Sequence, residues 1–446
     1  MVAASAAQVK SGCGSIRAAA VVAGWGAEPL LEAHLQSLAG ICAILAVAWL
    51  CSENRRAFPL RIVGAALAVQ FAVALVLLKI PAARAALFSL TRLVDALTDA
   101  TRAGTSFVFG YVGGASPPFA VIDSKTLTSF AFQILPLILV ISALAAVLWH
   151  WRVLPVIVRA FAWALGKTLG IGGAVGLCSA ATVFFGMVEA PLLIRPYLSR
   201  LSRSELFTLC TVGLATIAGT VFVLYATILQ PVIPGALGHI LVASFLSLPG
   251  AIMISRIMIP AGTDIEAEDA VGFGYYSSMD AVARGTEEGL KLWLGIISML
   301  IVVVAFVALA DIVLRHFPAV GGGPLTLERL FGWVFAPVVW LYGIPWHEAA
   351  TAGALMGDKT VLNEFIAYVR LAALPQGALD ARARLIMLYA MCGFANPGSV
   401  GIMIAGMGGL MPERRRELVP LVMRALLSGT LASGLTGAII GLLPIS

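Results

Sequence analysis

Two glutamates, at positions 189 and 364, stand where apolar sequence leaves little water. Glu189 lies in Gly186-Met187-Val188-Glu189-Ala190-Pro191, and Glu364 in Val361-Leu362-Asn363-Glu364-Phe365-Ile366. A carboxylate in such surroundings is costly unless it is paired, hydrogen-bonded or protonated, so both point to binding or ion transfer. A structural ion pair with Arg195 is the competing role for Glu189. Asn363 and Glu364 project about 100° apart around a helix axis, so one is expected to meet a solute while the other stabilises packing. A structural role for the pair is the alternative. In Cys392-Gly393-Phe394-Ala395-Asn396-Pro397-Gly398-Ser399, the Gly and Pro residues favour a broken helix. Asn396 and Ser399 would then offer an amide and a hydroxyl to a ligand, or cap the broken ends. Thr182 with Thr216, Ile217 and Thr220 could surround a small cation with hydroxyl and carbonyl oxygens, or simply pack helices. His347-Glu348 reads as a proton relay or as a polar pair at a bend.

These groups need a scaffold, and the composition says which kind. The chain has 446 residues, 60% hydrophobic and 12% charged, with a mean hydropathy of +0.98. Soluble domains carry roughly 25% charged residues, so a water-facing exterior is excluded and an all-α polytopic membrane protein is expected. Spans of about 20 apolar residues are predicted at 36–51, 59–79, 127–149, 204–231, 236–259, 290–311 and 417–444, with an eighth helix around 383–410. Residues 82–113 and 278–293 mix charge with Leu and Phe and suit helices lying in the interface. Residues 170–200 and 326–358 are too polar at their centres for lipid and too apolar for loops, and are predicted to form two re-entrant hairpins. Interruptions in corresponding halves suggest an inverted-repeat core with a solute near the midplane. The chain divides into a tail at 1–35, N-terminal spans with an interfacial helix at 36–150, the first hairpin and following helices at 151–260, and a C-terminal part at 261–446 holding an interfacial helix, the second hairpin and the transport-core helices.

The net charge of +6 comes from 29 Lys and Arg scattered beside apolar runs. That placement fits membrane anchoring and not a nucleic-acid partner. The six cysteines show no metal spacing and read as small core residues. Residues 1–30 lack the compact apolar centre of a signal peptide. A secondary transporter of a small polar solute is the leading function. A membrane enzyme acting on a lipid-linked substrate would need a metal triad, an activated nucleophile or a phosphate loop, and none is visible. A channel would present rings of charge, and the carboxylates here are isolated.

The segments GMVEAPLLIRPYL from Gly186, ATIAGT from Ala215, NEFIAY from Asn363 and CGFANPGSVGI from Cys392 resemble signatures of the concentrative nucleoside transporter family, in order and spacing. The resemblance implies a homotrimer in a cell membrane, eight spans and two re-entrant hairpins per protomer, and nucleoside import coupled to a cation without a cofactor. It implies ribose binding by Glu364, Asn396 and Ser399, and a place for Glu189, with Met187 and Val188, at the base side. Thr182, Phe185, Thr216 and Ile217 fall at positions of the family's sodium site. Three positions depart from the family pattern. Met187 and Val188 stand where the family has a Gln and a Ser or Thr, and neither can bond a base edge normally. Weaker discrimination among bases, or a different base, is the expected result. Thr182 replaces an Asn, which leaves sodium and a proton carried on Glu189 as competing coupling ions.

Overall fold

The computed structural model describes residues 28–120, 129–260, 274–320 and 323–443. Among these residues every regular element is helical, as an apolar chain in lipid requires, because a helix satisfies its backbone polar groups internally. In chain order the helices are α1 (Glu28–Leu50), α2 (Leu60–Lys79), α3 (Pro81–Phe109), α4 (Leu137–His150), α5 (Val153–Leu169), α6 (Gly173–Phe185), α7 (Arg203–Ala215) and α8 (Gly219–Leu229). They continue as α9 (Ala236–Met258), α10 (Ser278–Leu314), α11 (Leu327–Trp340), α12 (Trp346–Gly357), α13 (Glu364–Ala373), α14 (Ala381–Met391), α15 (Pro397–Leu410) and α16 (Arg415–Leu442). Seven continuous or nearly continuous helical stretches among the described residues are long and apolar enough to cross a membrane. The helix expected around 383–410 is divided into α14 and α15.

The centre of the molecule is α9, buried over most of its length and packed against α2, α7 and α16. α10 is its opposite. Its buried residues are Ala281, Gly285 and Gly289, while Leu294, Ile301, Val304, Phe306 and Leu309 point outward. In a chain of this composition such a face meets lipid or another apolar surface. The buried small residues let α10 lie directly on α4: a Cβ on Gly289 would fall 2.9 Å from the Leu139 Cα. Close approach through small residues is the usual way membrane helices gain dispersion contacts.

Both predicted hairpin segments fold back on themselves. In the first, α6 ends at Gly186, whose φ of +94° is open to glycine and strained for other residues. The return arm Ala190–Tyr197 is a tight 3-10 helix, in which Pro191 and Pro196 cannot donate to an α-ladder. In the second, α11 and α12 pack along their length, joined by a turn at Leu341–Pro345. A capping box starts α7, with Ser202 N donating to Glu205 Oε2 at 2.7 Å and Glu205 N to Ser202 Oγ at 3.2 Å.

Three boundaries differ from expectation. Residues 28–35 belong to α1 and not to a tail, while 1–27 lie outside the described residues. Residues 278–293 do not form a separate interfacial helix; they are the first turns of the 37-residue α10, since nothing in them stops a helix. The span expected at 204–231 is interrupted, because Thr216 and Ala218 are extended, with ψ of 169° and 144°. Residues 82–113 form α3 and a short 3-10 turn.

Candidate functional site

Glu364 opens α13. Its helix starts there because Asn363, extended at φ −167° and ψ 166°, accepts the Ile366 N–H at 2.9 Å and thereby caps the first turn. The Glu364 side chain is 4% exposed and held from two other helices. Tyr225 Oη of α8 donates to Oε1 at 2.8 Å, and Asn396 Nδ2 donates to Oε2 at 3.1 Å. Asn396 uses both ends of its amide, since Oδ1 accepts the Ser399 N–H at 2.9 Å and caps α15. The N-termini of α13 and α15 therefore both face the carboxylate, and their partial positive charge favours it. Lys359, fully buried with Ser433 Oγ at 3.4 Å, lies close enough to act on Glu364 through its charge. Among the described residues it forms no ion pair with it. Each carboxylate oxygen accepts one side-chain hydrogen bond. The Tyr225 ring is fixed in turn against Tyr368, 5.1 Å between centroids.

The two broken helices meet at their breaks. Phe394 N donates to the Thr216 carbonyl at 3.3 Å, and Gly393 lies so close to α7 that a Cβ would fall 2.7 Å from Ala215 O. Backbone freed by each interruption is partly satisfied by the other, which is what allows irregular chain deep in an apolar protein.

Glu189 is in a separate place. It lines a small cavity of about 30 Å³ with Ser142, Phe185, Thr220, Tyr275 and Glu288. Thr220 precedes Tyr225 by five residues on α8, about 7.5 Å along the axis. Arg195 is exposed and forms no ion pair with Glu189 among the described residues, so the structural pairing is not realised.

Comparison with known proteins decides the family. Residues 39–112 match the family described as Na+ dependent nucleoside transporter N-terminus. Residues 131–232 match one described as Gate, nucleoside recognition, and residues 239–441 match Na+ dependent nucleoside transporter C-terminus. The nucleoside permease NupC of Helicobacter pylori is 31% identical over 419 residues, covering 93% of this chain and 98% of the relative. An uncharacterized transporter of Bacillus subtilis, YutK, is 36% identical over 416 residues, covering 92% and 99%. The chain belongs to the concentrative nucleoside transporter family. CNTnw, solved in an inward-facing substrate-bound state, aligns with this transporter at a TM-score of 0.82 and 31% identity, covering 92% of this chain and 98% of that one. A variant of CNTnw solved in an outward-facing state aligns at 0.83. The protein is accordingly a multi-pass membrane transporter and not an enzyme.

Within the transporter, Met187 and Val188 are not among the residues lining the Glu189 cavity. Met187 packs on α7, where a Cβ on Gly213 would fall 2.9 Å from its Cβ, and Val188 packs on α15, where one on Gly406 would fall 2.6 Å from Cγ1. These apolar side chains dock the tip of the first hairpin between two helices. The Thr182 and Thr216 hydroxyls donate to the carbonyls of Cys178 at 2.8 Å and Val212 at 2.9 Å. Ile217 is fully buried, and the Phe185 ring stands edge-on to Trp149 at 4.8 Å. The segments carrying these four residues adjoin, since a Cβ on Gly219 would fall 2.9 Å from Phe184 O. His347 lies 3.7 Å from Glu348 and is 79% exposed, while Glu348 accepts the Asp380 N–H at 3.1 Å. That pair ties α12 to the start of α14.

Sequence reasoning passed over Tyr225 and Lys359. A lone phenol in the apolar run Val221–Leu229 was the available signal, since a buried Tyr hydroxyl needs a partner. A Lys beside a predicted intramembrane Glu carries the same kind of message.

Proposed function

We propose that this transporter imports nucleosides across the cell membrane by cation symport with alternating access. The observation that carries the reading is the Glu364 carboxylate, buried yet compensated by one side-chain hydrogen bond to each oxygen, from Tyr225 and Asn396. Two adjacent acceptors suit the two neighbouring hydroxyls of a ribose, and charge-assisted bonds of this kind are the stronger ones. Asn396 and Ser399 contribute an amide N–H and a hydroxyl to the same sugar, and Glu189 serves the base side. The coupling cation is sodium or a proton; the Na+ dependence in the matched family descriptions supports sodium. The inward- and outward-facing forms of CNTnw support alternating access.

The test is uptake of radiolabelled nucleosides by cells lacking their own carriers, comparing the native chain with Glu364→Ala and using ribose-modified competitors. Saturable native uptake, lost in the variant and poorly inhibited by deoxy-nucleosides, is expected. Absence of native uptake, or equal uptake by both, rejects the proposal.

A further inference from the structure

Lys359 carries a buried basic group to which the transport reading gives no task. It stands in the turn Asp358–Leu362, a π-helical stretch between α12 and the extended Asn363. A wide turn of this kind is rare in helices and recurs at functional sites. The turn packs against α12, α13 and α15, so it adjoins the two helices whose starts face Glu364.

The nearest carboxylate in sequence is already engaged, because Arg370 Nη1 holds both oxygens of Asp358, at 2.8 and 2.7 Å. What remains to the Lys359 ammonium among the described residues is Ser433 Oγ at 3.4 Å. That hydroxyl gives its own proton to the Thr430 carbonyl at 3.2 Å. The contact is long for a charged donor, and an ammonium has three donors to satisfy. Among the described residues no carboxylate forms an ion pair with Lys359. The acidic side chains within reach of its charge are Glu364 and the Cys392 thiol, and of these Glu364 is the carboxylate. An apolar side chain of the same length would fill this space without the cost of burying an amine. Attraction to Glu364 accounts for the lysine, since charges in poorly screening surroundings act beyond contact distance.

The need for that attraction changes through a transport cycle. While a sugar is bound, its hydroxyls share the Glu364 charge with Tyr225 and Asn396. After release the sugar hydroxyls are gone, and the carboxylate has to recross the membrane with Tyr225, Asn396 and the lysine alone. We propose that Lys359 is a positioning residue whose charge compensates Glu364 in the empty carrier and so sets how fast the empty carrier returns. This deepens the nucleoside-transport reading and rests on it. Lys359 touches neither sugar nor coupling cation; it acts through Glu364.

The experiment uses the full chain reconstituted in liposomes, as native protein, Lys359→Met, Glu364→Gln and the double variant. Tritiated uridine or adenosine, whichever the native chain carries, is supplied at saturation, with sodium and pH equal on both sides. Net uptake into nucleoside-free vesicles requires the empty return; exchange against unlabelled nucleoside inside does not. Lys359→Met is expected to lower net uptake by at least about tenfold while exchange stays within about threefold of native. In the Glu364→Gln background, where no carboxylate is left to compensate, the same change should move the ratio of net uptake to exchange by less than about threefold. Equal losses of net uptake and exchange in Lys359→Met overturn the proposal, and so does an undiminished effect in the Glu364→Gln background. If Lys359→Met yields no folded protein, a folded double variant supports the pairing of charges, while failure of both overturns it in favour of packing. Absence of native exchange defeats the transport reading itself. Thermal melts of the single and double variants then still test the pair: non-additive changes uphold the coupling of Lys359 to Glu364, and additive ones reject it.

Discussion

Exchanging Glu364 for Gln separates charge from shape. The amide is isosteric with the carboxylate, its oxygen can accept the Asn396 Nδ2 donor, and its nitrogen can donate to Tyr225 Oη, whose hydroxyl rotates to accept. Both internal contacts, now at 2.8 and 3.1 Å, therefore survive and folding changes little. What disappears is the negative charge offered to a ligand. Hydrogen bonds to a charged group contribute about 1.5–3 kcal/mol and neutral ones about 0.5–1.5 kcal/mol. Two sugar hydroxyls passing from the first class to the second lose about 2 kcal/mol together, or about thirtyfold in affinity. Glu364→Ala is less informative, because it strands the Tyr225 and Asn396 donors at about 1–3 kcal/mol each and damages the fold as well. Calorimetric binding of a transported nucleoside to detergent-purified protein, beside a thermal melt, checks this. A dissociation constant within about threefold of native, at an unchanged melting temperature, would refute Glu364 as the acceptor for the sugar.

Two further outcomes follow from contacts away from the carboxylate. Gly406→Ala drives a methyl against Val188, whose Cγ1 would be 2.6 Å away, and should destabilise by about 1–3 kcal/mol; adding Val188→Ala should recover much of that, and simple additivity in the double variant's thermal melt would contradict the packing described. At the membrane edge Glu53 bonds Arg203 at 2.9 Å and also Arg424, and the Arg203 hydrogen bond, foremost, holds its carboxyl below the usual range. A lowered folded pKa contributes stability fully present above the unfolded value of about 4.3 and lost as pH falls through the folded one; solvent limits it to about 1 kcal/mol or less. The melting gap between native and Glu53→Gln should close on acidification, and a gap that persists in strong acid would be inconsistent with this linkage.

Legibility in the sequence depended on whether a signal was local. The break at Cys392–Asn396 is written in Gly and Pro, which act on their own backbone, and it is found; Pro191 likewise marks the start of the segment Ala190–Tyr197, while the end of α6 at Gly186 was not read from the sequence. That Asn363 and Glu364 take different roles follows from their adjacent positions on one turn; that Asn363 caps the helix does not. The interruption at Thr216–Ala218 carries no Pro, and part of its freed backbone is satisfied by Phe394, 178 residues later (394 − 216), so no local reading reaches it. The directions of Met187 and Val188 were equally hidden, because a hairpin tip has no helical period from which to infer a face. Glu288 was read as part of an interfacial helix; only the packing of α4 on Gly285 and Gly289 shows which side of α10 faces inward.

The bond from Phe394 N to Thr216 O is made entirely of main chain, and main chain is the part of a protein that substitution leaves in place. That contact tolerates exchange of the side chains around it as long as Gly393 is kept, because a Cβ there would strike the Ala215 carbonyl.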